Sequence, residues 1–290
     1  MSKFLEDVTS FIKKNGYNIF TVAEIKDGGD AECVRLIETN LCQNSYSVAK
    51  AFVVTAIGLL CDRGLLSTDE LVTDILADEI TDMTRSEMDT RWNSVTVDMA
   101  LRHQLGLPKN FLDIELDDMY TYGADYLAYM LTYPLVRDHG QERTYTDGAY
   151  YLLARIAEKR AGKRLDLFLW DELFFKLGFQ EVAWSCCPMG HVMGATGLYI
   201  RTLDMVKLGS LYLDGGVYKG HRILSEKWVR TVLERGYELR SNGFGDSYSK
   251  GGMYGQLLAV FPSQKRVVAC HGYGFKERSE LLKFVSEYRD

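Results

Sequence analysis

A serine followed three residues later by a lysine is a spacing that can turn a weak nucleophile into a working one. At i and i+3 of a helix the two side chains share a face. A desolvated lysine, whose ammonium form is disfavoured, can take the hydroxyl proton. The chain contains three such pairs, Ser10–Lys13, Ser47–Lys50 and Ser247–Lys250. Ser10–Lys13 lies on an amphipathic terminal segment whose Lys13 and Lys14 read as its solvated end. Ser247–Lys250 lies in GFGDSYSKGGMYG, too glycine-rich for a regular helix. Only Ser47–Lys50 opens a strongly apolar run, Val48 to Cys61. There, unpaired backbone N–H groups and the positive end of the helix dipole would stabilise a developing oxyanion. A plainer role also suits these residues, a serine N-cap beside a lysine that snorkels to solvent.

The elements that must hold this pair follow from periodicity. Phe4, Leu5, Val8, Phe11 and Ile12 repeat at helical spacing and predict a helix ending near Lys14. YNIFTVAEI and AECVRLIE predict two strands around a DGGD hairpin turn. A helix from about Ser47 to Arg63 follows, stopped by Gly64. Ser67 and Glu70 have capping-box spacing at the start of the next segment. TVDMALRHQL, ADYLAYMLTYPLV and GAYYLLARIAEKRAG read as helices, and strand character returns after Trp184. TLDMVKLGSLYLDGG and SEKWVRTVLERG read as helices, GGMYGQLLAVFP and RVVACHGY as a hairpin across SQK, and KERSELLKFVSEYRD as a closing helix. This order predicts a sheet assembled from both ends of the chain, with a helical region between: residues 1–66 and 186–290 against 67–185. A cleft between the two parts is the default place for a site.

Composition narrows the function. The chain has 290 residues, 47% of them hydrophobic, enough for a large core. Its net charge of −6 argues against nucleic acid or an anionic membrane surface as a partner. The apolar run behind Ser47 is too short to span a bilayer, and the N-terminus lacks the pattern of a signal peptide. The expectation is a soluble, cytoplasmic protein. Six cysteines at 33, 42, 61, 186, 187 and 270 show no CxxC pair and read as reduced thiols. Cys186-Cys187 with His191 and Cys270-His271 could form a zinc site on paper, but adjacent cysteines are a poor tetrahedral chelate. No cofactor or metal is expected.

Two further pieces follow SVAK in order. Tyr145-Thr146-Asp147 precedes a helix, and Lys250-Gly251-Gly252 heads a hairpin strand. Together the three resemble the motifs of the serine beta-lactamase and penicillin-binding-protein superfamily: S-x-x-K, then Y-x-N or S-x-N, then K-T-G or H-x-G. The flanks SYSVAKAFVVTAIGLLCDRGLLSTDELV, TYTDGAYYLLARIAEKRAGKRL, GATGLYIRTLDMVKLGSLYLDGGVYKGHRILSEKWV and GQLLAVFPSQKRVVAC are similar to the class C beta-lactamase, DD-peptidase and esterase branch. The resemblance covers nearly the full chain. It implies a mixed α/β fold of the α+β type, beta-lactamase/transpeptidase-like. An antiparallel sheet is flanked by the N- and C-terminal helices, an all-helical region is inserted, and the site lies at their junction. It also implies roles. Ser47 is the acylated nucleophile, Lys50 its base, Tyr145 an acid-base partner and Lys250 a source of positive potential. Asp147, Gly251, Gly252 and Met253 line the substrate, with the N–H groups of Ser47 and Met253 as the oxyanion hole.

Two positions depart from that pattern. Asp147 stands where the family often has asparagine, and a carboxylate cannot donate to a substrate carbonyl. Gly251 stands where K-T-G has a threonine hydroxyl. His271 in CHGYG is a rival third motif, set aside because it ends the second hairpin strand while Lys250 begins the first. The departures point to an esterase or amidase acting on a small-molecule or peptide-like acyl substrate. A true beta-lactamase or DD-peptidase, and a non-catalytic ligand-binding or sensor member, are the alternatives.

Overall fold

Two strands near the C-terminus, Leu257–Phe261 and Arg266–Gly272, are buried along their whole length, so they must be covered on both faces. The rest of the fold supplies those covers. The computed structural model describes residues 1–289, Met119 by its backbone alone. In chain order the strands are β1 (Ile19–Lys26), β2 (Glu32–Arg35), β3 (Cys42–Asn44), β4 (Ala183–Trp184), β5 (Leu198–Arg201), β6 (Val217–Tyr218), β7 (His221–Arg222), β8 (Arg240–Ser241), β9 (Tyr248–Gly251), β10 (Leu257–Phe261) and β11 (Arg266–Gly272). The α-helices are α1 (Lys3–Lys14), α2 (Ala49–Asp62), α3 (Val72–Ile75), α4 (Asp82–Glu87), α5 (Val97–Leu101), α6 (Tyr126–Thr132), α7 (Asp147–Ala161), α8 (Leu165–Leu169), α9 (Thr202–Leu213), α10 (Glu226–Arg235) and α11 (Arg278–Glu287). They gather into two compact units.

The first unit comprises residues 1–52, 171–183 and those from 196 onward. Its centre is a six-stranded antiparallel sheet in the order β2-β1-β11-β10-β9-β8. The chain's two ends thus meet in one sheet, with Val22 opposite Cys270 and Ala23 opposite Ala269. Side chains alternate across it. Leu257, Ala259, Phe261, Val268 and Cys270 point to the face covered by Phe4, Leu5, Val8 and Ile12 of α1 and Leu281, Leu282 and Val285 of α11. Leu258, Val260 and Val267 point to the other face, against α9. There a Cβ on Gly209 would stand 2.4 Å from Val267 Cγ1, so only glycine lets α9 lie this close. Each fully buried Leu, Ile, Val or Phe contributes about 1.5–3 kcal/mol. The β1–β2 hairpin turns through Asp27 and Gly28 at φ +51° and +70°, the left-handed pair of a type I′ turn. The terminal helices therefore share one face of an antiparallel sheet, in the beta-lactamase/transpeptidase-like arrangement.

The second unit comprises residues 53–170 and 184–195. It is helical and organised around α7, whose residues Asp147–Glu158 are all buried. Helices α3, α5 and α8 pack on it. Its N-terminus is capped by Thr146 and its C-terminus by Gly162 at φ +67°. Buried Arg155 pairs with Glu79, and Glu158 accepts from Leu165 and Val192 N–H and bonds His191.

Three details differ from the periodicity. Ser67 N does donate to Glu70 Oε1 at 2.6 Å, but this closes a turn, and α3 starts only at Val72. Helix α5 stops at Leu101 because His103 takes a left-handed conformation at φ +57°. GGMYGQLLAVFP is not one strand: a turn over residues 252–255, with Gly255 at φ +111°, separates β9 from β10. Lys250 therefore lies on a separate strand outside the β10–β11 hairpin. None of the six cysteines is paired in a disulfide. Among the described residues no helix is long and apolar enough to cross a membrane.

Candidate active site

Strand β3 delivers the chain to Ser47. Ser45 is wholly buried, and both its N–H and its hydroxyl donate to Leu198 O, at 2.8 and 2.9 Å. Asn44 Oδ1 accepts from Tyr46 N at 2.9 Å. Tyr46 is thereby held at φ +46°, left-handed backbone that a bulky residue adopts only when its surroundings over-determine it. One short 3₁₀ turn, Tyr46–Val48, then leads into α2. The sharp turn leaves Ser47 half-buried at the mouth of the helix while Lys50 is fully buried. Lys50 Nζ lies 3.0 Å from Ser47 Oγ. That is within reach for proton transfer, and of the three serine-lysine pairs it is the one seated at an apolar helix start.

The third motif lies in the same unit. Strand β9 packs against the Ser47 turn and pairs with β10, Lys250 opposite Leu258. A Cβ on Gly252 would stand 2.9 Å from Ser45 O and 2.4 Å from Gln256 Oε1. Glycine at 252 therefore lets the β9 end rest directly on the backbone just before the serine. Met253 follows, 40% exposed, and its N–H donates to no group among the described residues. Gln256 is buried and braces this turn: Oε1 accepts from Tyr254 N at 3.2 Å and Nε2 donates to Gly272 O at 2.8 Å.

Two charged neighbours were not foreseen from the sequence. Lys250 is nearly buried and forms an ion pair with Glu238, which is 2% exposed and sits at φ +66°. The cation at this motif is therefore matched by a carboxylate. Arg278, at the start of α11, donates to Gly252 O. A Cβ on Gly251 would stand 2.6 Å from its Nη1. The guanidinium thus fills the space that a side chain at 251 would take, and a donor of fixed planar geometry replaces a hydroxyl. No local pattern announces either residue, since each acts through a contact distant in sequence.

Tyr145 and Asp147 belong to the second unit. The half-buried Tyr145 ring packs on His103, centroids 4.6 Å apart, and Arg143 lies over it at 5.5 Å. His103 Nδ1 accepts from Thr146 N at 3.3 Å, and Thr146 Oγ1 donates to Phe111 O at 2.7 Å. The tyrosine's backbone is thus fixed on both sides. Asp147 is the first residue of α7, buried, with its carboxylate at the positive end of the helix.

His271 lies in β11, fully buried, with Nδ1 and Thr202 Oγ1 at 2.8 Å, and burial pushes its pKa down to about 3. The other candidate ligands are engaged elsewhere: Cys187 with Tyr151, His191 with Glu158, and Cys270, buried in the sheet, with its thiol pushed up to about 12. Among the described residues no group of three or more His, Cys, Asp or Glu could hold a metal ion.

An antiparallel sheet with both terminal helices on one face is the beta-lactamase/transpeptidase-like class of fold. A family model described as Beta-lactamase matches residues 21–276, so the chain belongs to that family. A 6-aminohexanoate-dimer hydrolase of Paenarthrobacter ureafaciens is 26% identical over 108 residues, 37% of this chain and 27% of that protein. The chain thus aligns with about a quarter of the curated relative's length. A penicillin-binding protein homologue of Caulobacter crescentus superposes with a TM-score of 0.74 at 14% identity, covering 97% of this chain and 96% of that one. EstCE1, a hydrolase with promiscuous acyltransferase activity, superposes at 0.70 with 13% identity, covering 99% and 98%.

Proposed function

We propose that the chain is a serine hydrolase that forms an acyl-enzyme on Ser47 and acts on an ester or amide of a small acyl group. The observation that carries this reading is the fully buried Lys50 amine 3.0 Å from the Ser47 hydroxyl. In the proposed reaction Lys50 Nζ takes the proton from Ser47 Oγ as Oγ bonds to the substrate carbonyl carbon. The carbonyl oxygen becomes an oxyanion that accepts from the N–H groups of Ser47 and Met253. Collapse breaks the bond to the leaving group, which takes the proton through Lys50 and Tyr145, the acid-base partner that the second motif implies. Water then gives a proton to the same pair and attacks the acyl carbon, and the pair returns that proton to Ser47 Oγ as the bond from Oγ to the acyl carbon breaks and the carboxylic acid leaves.

The preference for esters and amides over lactams rests on Asp147, which removes an amide donor, and on Gly251, beside which the Arg278 guanidinium stands in place of a hydroxyl. That EstCE1 is a hydrolase with promiscuous acyltransferase activity, and the partial relative a 6-aminohexanoate-dimer hydrolase, agrees with it. The test is a panel of short-chain nitrophenyl esters, a D-amino-acid amide and a chromogenic cephalosporin, run on wild type and Ser47→Ala. Ester turnover that exceeds lactam turnover and vanishes in Ser47→Ala is expected. The reverse order of substrates would make the chain a true beta-lactamase or peptidase.

One observation favours a second reading, a binding or sensor protein without turnover: Glu238 takes up the charge of Lys250. It requires saturable ligand binding that Ser47→Ala leaves unchanged, with no hydrolysis anywhere in the panel.

A further inference from the structure

Beside the Ser47 turn the first unit carries an aromatic wall. The Tyr46 ring meets the Tyr254 ring edge-on, centroids 5.0 Å apart, and Tyr254 stacks on Tyr273 at 4.7 Å with 19° between planes. Tyr46 is the residue before Ser47, and Tyr254 follows Met253, so the wall flanks both proposed oxyanion donors. Its far end is open: Tyr273 is 52% exposed and Met253 40% exposed.

Each ring stands on fixed backbone. Asn18 O accepts from Tyr273 N at 3.1 Å, while Asn18 Nδ2 donates to Tyr273 O at 2.8 Å. Tyr254 N donates to Gln256 Oε1, and Tyr254 O accepts from Phe275 N at 3.2 Å. Tyr46 is held at φ +46° by Asn44. Half-exposed side chains on immobilised backbone bury too little to be explained by folding. They provide contact area that loses little freedom on binding, and large apolar surface left open beside a nucleophile marks a recognition site.

We propose that Tyr46, Tyr254 and Tyr273, with Met253, form the subsite for the acyl group, and that this group is aromatic or otherwise broad and apolar. The acyl side is assigned because the acyl group alone stays bonded to Ser47 through both half-reactions, next to Tyr46. The inference rests on the reading of Ser47 as nucleophile.

Two measurements separate the inference from that reading. The first compares kcat/KM for nitrophenyl phenylacetate and nitrophenyl acetate in wild type, Tyr254→Ala, Tyr273→Ala and Tyr273→Phe. The leaving group is constant, so the ratio reports the acyl subsite. A wild-type preference for phenylacetate that falls at least tenfold in both alanine variants and is retained by Tyr273→Phe is expected. A ratio unchanged within twofold overturns the proposal. The second measures phenylacetate binding by calorimetry, which needs no turnover, with the fold of each variant checked by circular dichroism. Binding at least tenfold weaker in folded Tyr273→Ala supports the wall even if no ester is cleaved, in which case the nucleophile reading fails alone. Equal affinity in wild type and folded Tyr273→Ala overturns the wall.

Discussion

Lys50 stands in the first turn of α2 with its Nζ on a serine hydroxyl, whereas Lys250 stands in β9 with its Nζ on the Glu238 carboxylate. Both lie in the first unit, and both are nearly or fully withdrawn from water. Burial is therefore not what separates them: a hydroxyl lies within proton-transfer reach of Lys50 and a carboxylate lies against Lys250. A lysine against a buried carboxylate forms a neutral pair and adds little field to its surroundings. A lysine against a hydroxyl can exchange a proton with it. Arg278, at the start of α11, brings a guanidinium against Gly251 and Gly252 beside that ion pair.

That contrast can be broken most directly at Ser47. Ser47→Ala and Lys50→Met, each with the fold intact, are expected to lower kcat/KM on the best ester by at least about 10³-fold, roughly 4 kcal/mol of lost transition-state stabilisation. Equal losses in the single variants and the double variant would show that the two act as one unit. Glu238→Gln comes next. It leaves a buried lysine without its counter-charge and is expected to lower stability by about 3 kcal/mol in urea unfolding. Adding Lys250→Met should recover most of that loss, and no recovery would mean the pair is not coupled. Gly252→Ala is expected to cost about 2 kcal/mol, because a methyl group there must push against Ser45 O. Its rate on esters should fall as well, since the same displacement moves the serine turn.

His271 gives a useful control, a buried base whose partner is also a hydroxyl. Burial depresses its pKa from 6.5 to about 3, so it is neutral in the native protein. Above about pH 6.5 it is neutral in both folded and unfolded chains and contributes nothing to pH dependence. As pH falls below 6.5 the unfolded chain binds the proton first, and stability drops by about 1.4 kcal/mol per pH unit until the folded pKa is reached. Urea midpoints between pH 7 and pH 5 should show this slope in wild type and lose it in His271→Gln.

Ser47 and Lys50 were legible because their relation is local, two residues on one helical face with an apolar run behind them. Helices α1, α9, α10 and α11 were legible for the same reason, each long enough to show its period, and the β10–β11 hairpin as two apolar runs around SQK. Strands β3, β5 and β8 are two to four residues long and carry no period to read. Yet β3 and β5 are what aim Ser45 and strain Tyr46. Glu238 and Arg278 stayed hidden because their meaning lies in contacts across the fold, while Gly251, read as a missing hydroxyl, is space filled by Arg278. The turn between β9 and β10 was missed because Gly252 and Gly255 lead directly into the continuous apolar run of β10.

The central claim is that Ser47 is made nucleophilic by Lys50. Treating wild type, Lys50→Met and Ser47→Ala with a fluorophosphonate, then mapping the adduct by peptide mass spectrometry, tests it in one experiment. A stoichiometric adduct on Ser47 is expected in wild type, slowed at least about 10³-fold in Lys50→Met and absent in Ser47→Ala. Folded wild-type protein with no adduct on Ser47, or with equal labelling in Lys50→Met, would contradict it.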